Sequence, residues 1–203
     1  MTNRYAMKNS ERIQLLLKQN DGIITSSEIT QLGISRGNLK YLVDKGYLER
    51  AARGVYKLVD VWDDELYYLQ VRLRKGIYSK ETALYLHHLS DRTPHRYQMT
   101  FPNGYNLTKI DKVNLDGSRV IDELYDVGVV ELSTPSGNKV RVYNMERTLC
   151  DILRKQSHVD VQSITTAFKL YTKRKDMNIP LLSEYAKKLK VEAKLRSYLE
   201  VLL

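Results

Sequence analysis

The chain has 203 residues, of which 42% are hydrophobic, so it is long enough to bury one large core or two small ones. Its single cysteine, Cys150, excludes an internal disulfide, and its polar start, MTNRYAMKNS, lacks an apolar signal region. No apolar run approaches the roughly 20 residues that a membrane-spanning helix needs. We therefore expect a globular cytoplasmic protein without a membrane partner.

The net charge of +9 is unevenly distributed along the chain. Lys and Arg outnumber Asp and Glu by 10 to 6 in residues 1–60 and by 12 to 7 in residues 145–203, whereas residues 61–144 contain 11 of each. Positive charge at both ends favours a polyanionic partner, bound with an affinity that falls as salt rises. The alternative is a basic protein whose charge only keeps it soluble.

The first predicted helix is Ser10–Gln19, which has apolar residues at helical spacing and Ser10 as its cap. Asp21 and Gly22 then form a turn. The isoleucines at 23–24 predict a short strand that pairs with a later hairpin.

Two further helices are predicted between residues 25 and 46. Thr25 followed by Glu28 is a capping box that starts the first of them, and Gly33 ends it. Ser35 caps the second helix, which buries one apolar face and leaves a polar, basic face exposed, and Gly46 stops it. Two helices joined by a short turn that contains glycine are typical of a helix-turn-helix.

A basic hairpin follows, because the strand-like runs Tyr47–Arg50 and Val55–Leu58 are separated by four turn-forming residues. The three features together predict a winged helix-turn-helix, whose second helix enters the DNA major groove while the hairpin arginines reach a phosphate or the minor groove. The alternative is a small helical domain with an incidentally basic surface. The predicted DNA-binding residues are Thr25, Ser26, Ser35, Arg36, Asn38, Lys40, Tyr41, Arg50 and Arg53.

Acidic residues collect near residue 60, where we place a boundary between domains at 1–60 and 61–203. The fold class predicted is α+β: an N-terminal winged helix-turn-helix followed by a mostly helical C-terminal domain with a small antiparallel sheet. Residues 106–117 are polar and show no clear period, so we assign them no structure. The elements predicted before the final helices are helices Asp64–Lys75, Lys80–Leu89 and Met145–Lys155 and strands Tyr97–Phe101, Val127–Leu132 and Lys139–Tyr143.

The last 40 residues are predicted to be helical, with apolar stripes inside and lysines outside. The basic residues form a candidate second surface for nucleic acid or a protein partner, and the alternative is an ordinary solvated face. They are Lys169, Lys173, Arg174, Lys175, Lys187, Lys188, Lys190 and Lys194.

Catalytic motifs are absent from the sequence: it contains no Walker loop, glycine-rich dinucleotide turn or paired metal-binding cysteines. Its four histidines lack metal-ligand spacing. Glu146 and Asp151 could form an acid/base group, but Arg147 and Asp151 at i, i+4 are first of all a helical ion pair. We therefore predict no enzyme activity, catalytic residue, cofactor or metal.

With these residues in view, the sequence resembles the AbiEi family, the antitoxins of the AbiE abortive-infection toxin–antitoxin systems, over essentially its whole length. The N-terminal winged helix-turn-helix, the wing sequence RAARGVYKL and the segment VYNMERTLCDILR from Val142 to Arg154 carry the resemblance. The last of these is similar to a strand-to-helix signature of the family.

The resemblance implies two activities: repression of the protein's own operon at inverted repeats, and protection against a toxin of the nucleotidyltransferase fold. The second is a form of phage resistance. It would be carried by residues 61–203 as the antitoxin domain, without a stable toxin complex. The alternative is a transcription regulator whose C-terminal domain senses a ligand or a protein and has no antitoxin role. No heptad seam is visible, so we expect a monomer in solution and two copies on an inverted repeat.

Overall fold

The computed structural model describes residues 8–110 and 114–202. The chain forms two compact units, one ending at Arg72 and the other beginning at Leu73. Helix Glu65–Arg72 therefore lies in the first unit, although the sequence boundary near residue 60 assigns it to the second.

The first unit combines short helices with a three-stranded antiparallel sheet in the order β1-β3-β2. Ile24 lies opposite Tyr56, so the predicted pairing of residues 23–24 with the hairpin is confirmed. The elements are helices α1 (Asn9–Gln19), α2 (Ser26–Gln31), α3 (Gly37–Asp44) and α4 (Glu65–Arg72) and strands β1 (Ile23–Thr25), β2 (Leu48–Ala52) and β3 (Val55–Leu58).

The core of this unit includes buried side chains from five successive elements, among them Ile13, Ile24, Ile29, Leu39 and Leu48. Each is at most 2% exposed. Burying a side chain of this size is worth about 1.5 to 3 kcal/mol. The position of α3 therefore depends on its packing against α1, β1, α2 and β2.

The start of α1 differs from the prediction. The helix begins at Asn9, so Ser10 lies inside it and is not its cap. The backbone N–H of Lys8 donates instead to Glu11 Oε2 at 3.0 Å. The predicted cap was wrong because Glu11 satisfies the start of the helix from within its first turn.

The second unit contains a five-stranded sheet in the order β6-β5-β4-β8-β7, together with helices. Its strands are β4 (Ile77–Tyr78), β5 (Tyr97–Pro102), β6 (Leu115–Val120), β7 (Val129–Ser133) and β8 (Lys139–Tyr143). Its helices are α5 (Lys80–Leu86), α6 (Asp122–Tyr125), α7 (Met145–Ile152), α8 (Val161–Tyr171), α9 (Ile179–Leu189) and α10 (Glu192–Leu202).

The predicted α+β class is confirmed, but this second sheet is mixed. The pair β7–β8 is antiparallel, as predicted, and β4–β5 is also antiparallel, whereas β5–β6 and β4–β8 are parallel. Sequence reasoning missed β4, which has only two residues, and β6, which carries Gly117. A Cβ at Gly117 would lie 3.0 Å from Ile110 Cδ1 and Leu107 Cδ2, so close packing favours glycine at this position of the strand.

The helices of the second unit surround α7, and all of its residues from Glu146 to Ile152 are buried. Asn144 caps this helix, since its Oδ1 accepts the N–H of Arg147 at 2.9 Å. Burial raises the pKa of the Cys150 thiol to about 12, so it stays protonated and unreactive at neutral pH. Polar side chains on this helix must therefore find partners inside the protein. Within the described ranges, no helix is both long and apolar enough to span a bilayer.

Candidate nucleic-acid interface

The helix-turn-helix begins with the predicted capping box. Thr25 Oγ1 accepts the N–H of Glu28 at 3.1 Å, and Glu28 Oε2 accepts the N–H of Thr25 at 2.8 Å. Thr25 is only 6% exposed, so it fixes the start of α2 and offers little surface to a DNA phosphate. Thr25 is therefore a helix cap, and its role as a DNA contact stays a prediction.

The turn between α2 and α3 is held from two sides. Gly33 adopts φ +70°, a conformation that favours glycine, and Ile34 is buried beneath it at 3% exposure. Arg12 Nη2 donates to the carbonyl of Leu32 at 2.8 Å and so satisfies the end of α2. These contacts set the direction in which α3 leaves the turn.

Helix α3 is anchored by buried Leu39 and turns its other side to solvent. The prediction that Ser35 caps this helix is wrong: the N-cap is Arg36, which makes no side-chain cap bond, and Ser35 Oγ accepts the N–H of Gly37 at 3.3 Å from one residue before the cap. Asn38 Nδ2 donates to the Ser35 carbonyl at 3.0 Å. The side-chain amide of the half-buried Asn38 is therefore already hydrogen-bonded within the protein.

Exposed side chains at α3 are Lys40 and Tyr41 on the helix and Arg36 at its N-cap. Arg36 Nε donates to Thr30 Oγ1 at 3.0 Å, which orients the guanidinium and leaves its other nitrogens available. Lys45, which the sequence argument missed, lies with its ammonium 5.9 Å from the centre of the Tyr41 ring. The i, i+4 spacing of these two residues was the signal that could have identified it.

The wing consists of β2, β3 and the turn at Arg53 and Gly54. Gly54 has φ +80°, and its carbonyl accepts both the N–H of Ser26 at 2.9 Å and the Ser26 hydroxyl at 3.2 Å. Ser26, predicted to contact DNA, thus ties the wing turn to the start of α2. Arg50 and Arg53 remain exposed on the wing.

One basic residue of the wing is not available to a ligand. Lys57 Nζ lies 2.6 Å from Glu49 Oε1 and 3.2 Å from Asp63 Oδ1, and its side chain is 6% exposed. The hydrogen bond to Glu49 raises the pKa of Lys57 above its ordinary value. Lys57 therefore stabilises the wing by linking β3 to Glu49 of β2 and to Asp63.

We define the basic face as seven exposed basic or hydroxyl-bearing side chains on α3, on the residues that flank it and on the wing, where Asp44 and Glu49 are also exposed. Strand β2 packs against α3, so the two parts of the face belong to one structure. The members are Ser35, Arg36, Lys40, Tyr41, Lys45, Arg50 and Arg53.

The second predicted basic surface is only partly free. Arg174 makes two bonds to Asp176, at 2.8 and 2.9 Å, and Lys188 pairs with Glu184 at 2.7 Å. Lys194 Nζ donates to the Leu153 carbonyl at 2.8 Å, which satisfies the end of α7. Exposed residues without a hydrogen-bond or ion-pair partner in the described parts of the chain are Lys169, Lys173, Lys175, Lys187 and Lys190.

The acidic residues that invited a catalytic interpretation are inside the protein. Arg147 Nε donates to Asp151 Oδ2 at 2.9 Å, which confirms the predicted helical ion pair. Glu146 Oε1 accepts the hydroxyl hydrogen of Tyr171 at 2.9 Å. The structure, over residues 8–110 and 114–202, contains no cluster of three or more metal-ligating side chains.

Residues 11–59 match the sequence model of a family described as "Transcriptional regulator, AbiEi antitoxin". The N-terminal segment is therefore similar to AbiEi antitoxin regulators, and we call it the AbiEi domain. This AbiEi domain contains α1, the helix-turn-helix and the wing. The match stops before Val142–Arg154, so the likeness of that segment to the family's strand-to-helix signature stays a prediction.

The fold also has a relative among solved structures. The crystal structure of the RV2827C protein from Mycobacterium tuberculosis aligns with a TM-score of 0.59 at 15% identity, covering 91% of this chain and 73% of that chain. At this identity the likeness shows the fold alone. No curated protein matches the sequence. The match of residues 11–59 supports a transcriptional regulator of the antitoxin kind.

Proposed function

We propose that the protein is a sequence-specific DNA-binding antitoxin that represses its own operon at inverted repeats. The observation that supports this most directly is the basic face on the AbiEi domain. Its cations lie on a helix that projects from a firmly packed turn and on a neighbouring hairpin.

The proposed docking follows from the size of the DNA grooves. The major groove, about 12 Å wide, admits a helix such as α3, with Arg36 and Lys40 near the base edges. Arg50 and Arg53 on the wing would contact phosphates, which fix the register without reading sequence. We propose that a monomer binds each half of the repeat and that the complex forms in the cytoplasm on promoter DNA.

Gel shifts with the DNA upstream of the gene test this proposal. Affinity should fall as salt rises, with a log–log slope of about −0.9 per phosphate contacted. Arg36→Ala or Lys40→Ala should weaken binding by about 1 to 3 kcal/mol, and Arg53→Ala should flatten the salt slope by about one. Lys18→Ala, which removes an exposed lysine of α1 outside the basic face, is the matched control. Binding that ignored salt, or losses equal to the control's, would contradict the proposal.

We further propose that residues 61–203 form an antitoxin domain that opposes a nucleotidyltransferase-fold toxin without a stable complex, as part of phage resistance by abortive infection. This proposal rests on the AbiEi domain and on the resemblance of the whole chain. Wild-type protein and Arg36→Ala, each expressed from a foreign promoter, should both restore growth to cells that produce the toxin-like neighbour. Co-purification should recover no complex.

A regulator with a ligand- or protein-sensing C-terminal domain is the second candidate. It is favoured by a polar cavity in the second unit, described below. Failure of wild-type protein to restore growth, together with intact promoter binding, would select this candidate.

A further inference from the structure

The second unit contains a cavity of about 130 Å³ with basic and hydroxyl-bearing walls, which we call the basic cavity. Its lining comes from separate elements: Lys80 begins α5, Thr100 lies on β5, Ser118 and Arg119 lie on β6, and Arg154 follows α7. Asp151 of α7 also lines it. The mixed sheet and the buried helix thus bring together polar residues that are up to 77 positions apart in sequence, from Lys80 to Ser157.

The charges in the basic cavity do not balance. Four cationic side chains, Lys80, Arg119, Arg147 and Arg154, line it with a single carboxylate, Asp151. Asp151 is already engaged, by Arg147 at 2.9 Å and by Arg154 at 3.6 Å. Lys80 and Arg119 have no carboxylate within 4.0 Å in the described part of the chain. The cavity therefore holds uncompensated positive charge.

Lys80 is held in the cavity in an unusual backbone conformation. Its φ is +49°, a region that residues with side chains rarely adopt and that clusters at functional sites. Its side chain is half-buried, and this desolvation lowers the pKa of the ammonium, against the opposing attraction of Asp151. A partly desolvated cation without a direct partner gains from binding an anion.

Hydroxyl groups complete the wall beside Lys80. Thr100 Oγ1 donates to Ser79 Oγ at 3.0 Å and lies 3.2 Å from Ser118 Oγ, with which it shares a hydrogen bond. Thr100 is 6% exposed, so this chain of hydroxyls lies deep in the unit. Hydroxyl hydrogens rotate to suit a ligand, and combined with Lys and Arg they form a donor set suited to phosphate oxygens.

We propose that the basic cavity binds the phosphate group of a small molecule, either inorganic phosphate or the terminal phosphate of a free nucleotide. The volume accommodates a few water-sized groups and so fits a phosphate but not an entire nucleoside. The rest of a nucleotide would lie at the rim, where Arg119 and Gln156 are exposed. A DNA backbone is the weaker candidate, because Lys80 and Thr100 are recessed behind that rim.

Calorimetric titration of the full chain with inorganic phosphate and, separately, with ATP tests this assignment. Wild-type protein should bind one equivalent, and Lys80→Gly and Arg119→Gln should each weaken binding at least about tenfold. Lys155→Gln, which alters an exposed lysine outside the cavity lining, should leave affinity unchanged. Lys80→Gly should melt at or above the wild-type temperature, since glycine adopts a positive φ without strain. An unchanged or higher melting temperature would show that weaker ligand binding by Lys80→Gly is not caused by unfolding.

The two ligands distinguish the source of the phosphate. Tighter binding of ATP identifies a nucleotide, and equal binding identifies the free ion. The proposal is overturned if neither ligand binds at about 10 mM, if the cavity variants bind like wild type, or if they weaken only the binding of DNA. Promoter gel shifts with Lys80→Gly should match wild type. Failure of the phosphate-site proposal therefore leaves the DNA-binding proposal intact, and failure of the DNA-binding proposal leaves the phosphate site intact.

Discussion

The two units use charged residues in opposite ways. In the AbiEi domain, Arg36, Lys40 and Arg53 are exposed on α3 and the wing. In the second unit, Arg147 and Asp151 are buried and paired with each other. The comparison teaches that a charged motif in a sequence marks either a binding face or an internal brace, and that exposure decides between them.

The buried Arg147–Asp151 pair, which we call the internal brace of the second unit, has hydrogen-bond partners for its buried polar groups. Arg147 also donates to the carbonyls of Leu124 at 2.8 Å and Val127 at 3.2 Å, and its guanidinium carbon lies 4.5 Å from the centre of the Tyr143 ring. Within the described ranges, no buried side-chain nitrogen or oxygen lacks a hydrogen-bond partner. Removing one partner from such a network is therefore more costly than removing an exposed charge.

The largest effect is expected for Arg147→Met. It leaves the Asp151 carboxylate buried beside an apolar side chain and should lower the free energy of unfolding by about 3 to 5 kcal/mol. Arg154→Met is the matched control: its partly exposed guanidinium lies 3.6 Å from the same carboxylate, and it should cost under about 1 kcal/mol. Urea denaturation followed by circular dichroism measures both. Equal losses would show that the buried pair has no special role.

Tyr171→Phe should have the next largest effect. The buried Tyr171 hydroxyl donates to Glu146 Oε1 at 2.9 Å and accepts the N–H of Asn178 at 2.7 Å. Its loss leaves both groups short of a partner and should cost about 1 to 3 kcal/mol. Tyr185→Phe makes the same chemical change where the hydroxyl has no hydrogen bond to the described residues, and it should be nearly neutral. The comparison of the two variants by urea denaturation isolates the hydrogen bonds.

Sequence reasoning succeeded where structure is set by neighbouring residues. The Thr25–Glu28 capping box, the Asn144 cap and strand Lys139–Tyr143 depend on side chains within a few positions of one another. The wing was placed to within two residues for the same reason.

Reasoning from sequence failed where distant segments meet. Strand β6 is polar and interrupted by Gly117, and it forms only because β5 lies parallel beside it. The basic cavity joins Lys80 to Arg154, and no local period connects them. Parallel pairing and cavities are long-range features, which leave little local trace in the sequence.

Thr25→Ala tests whether the first residue of α2 is a cap or a DNA contact. Loss of the cap should lower the free energy of unfolding by about 1 kcal/mol. Thr25→Ser retains a hydroxyl and should stay close to wild type. If Thr25 is only a cap, the alanine variant should bind promoter DNA almost normally at temperatures where the AbiEi domain remains folded. A large loss of affinity for promoter DNA in the fully folded alanine variant would instead show that Thr25 contacts DNA.

The smallest expected effect is a pH dependence of the second unit through His87. Burial lowers the pKa of this imidazole, and its Nε2 lies 2.7 Å from the Tyr143 carbonyl, to which the neutral ring donates. The folded state therefore binds a proton less readily than the unfolded chain. Stability should be complete above about pH 6.5 and should decline as the pH falls towards the lowered pKa of the folded state.

The slope should stay below the one-proton limit of about 1.4 kcal/mol per pH unit, because the His87 ring is only partly buried. Urea denaturation between about pH 5.5 and 7.5 measures it, with His87→Gln expected to remove the decline and His95→Gln, at an exposed site, expected to retain it. A decline that persisted unchanged in His87→Gln would assign the pH response to other groups. His87 ends α5 and donates to the backbone just before α7. If the pH-dependent decline is lost in His87→Gln, the response is assigned to this hydrogen bond between the two helices.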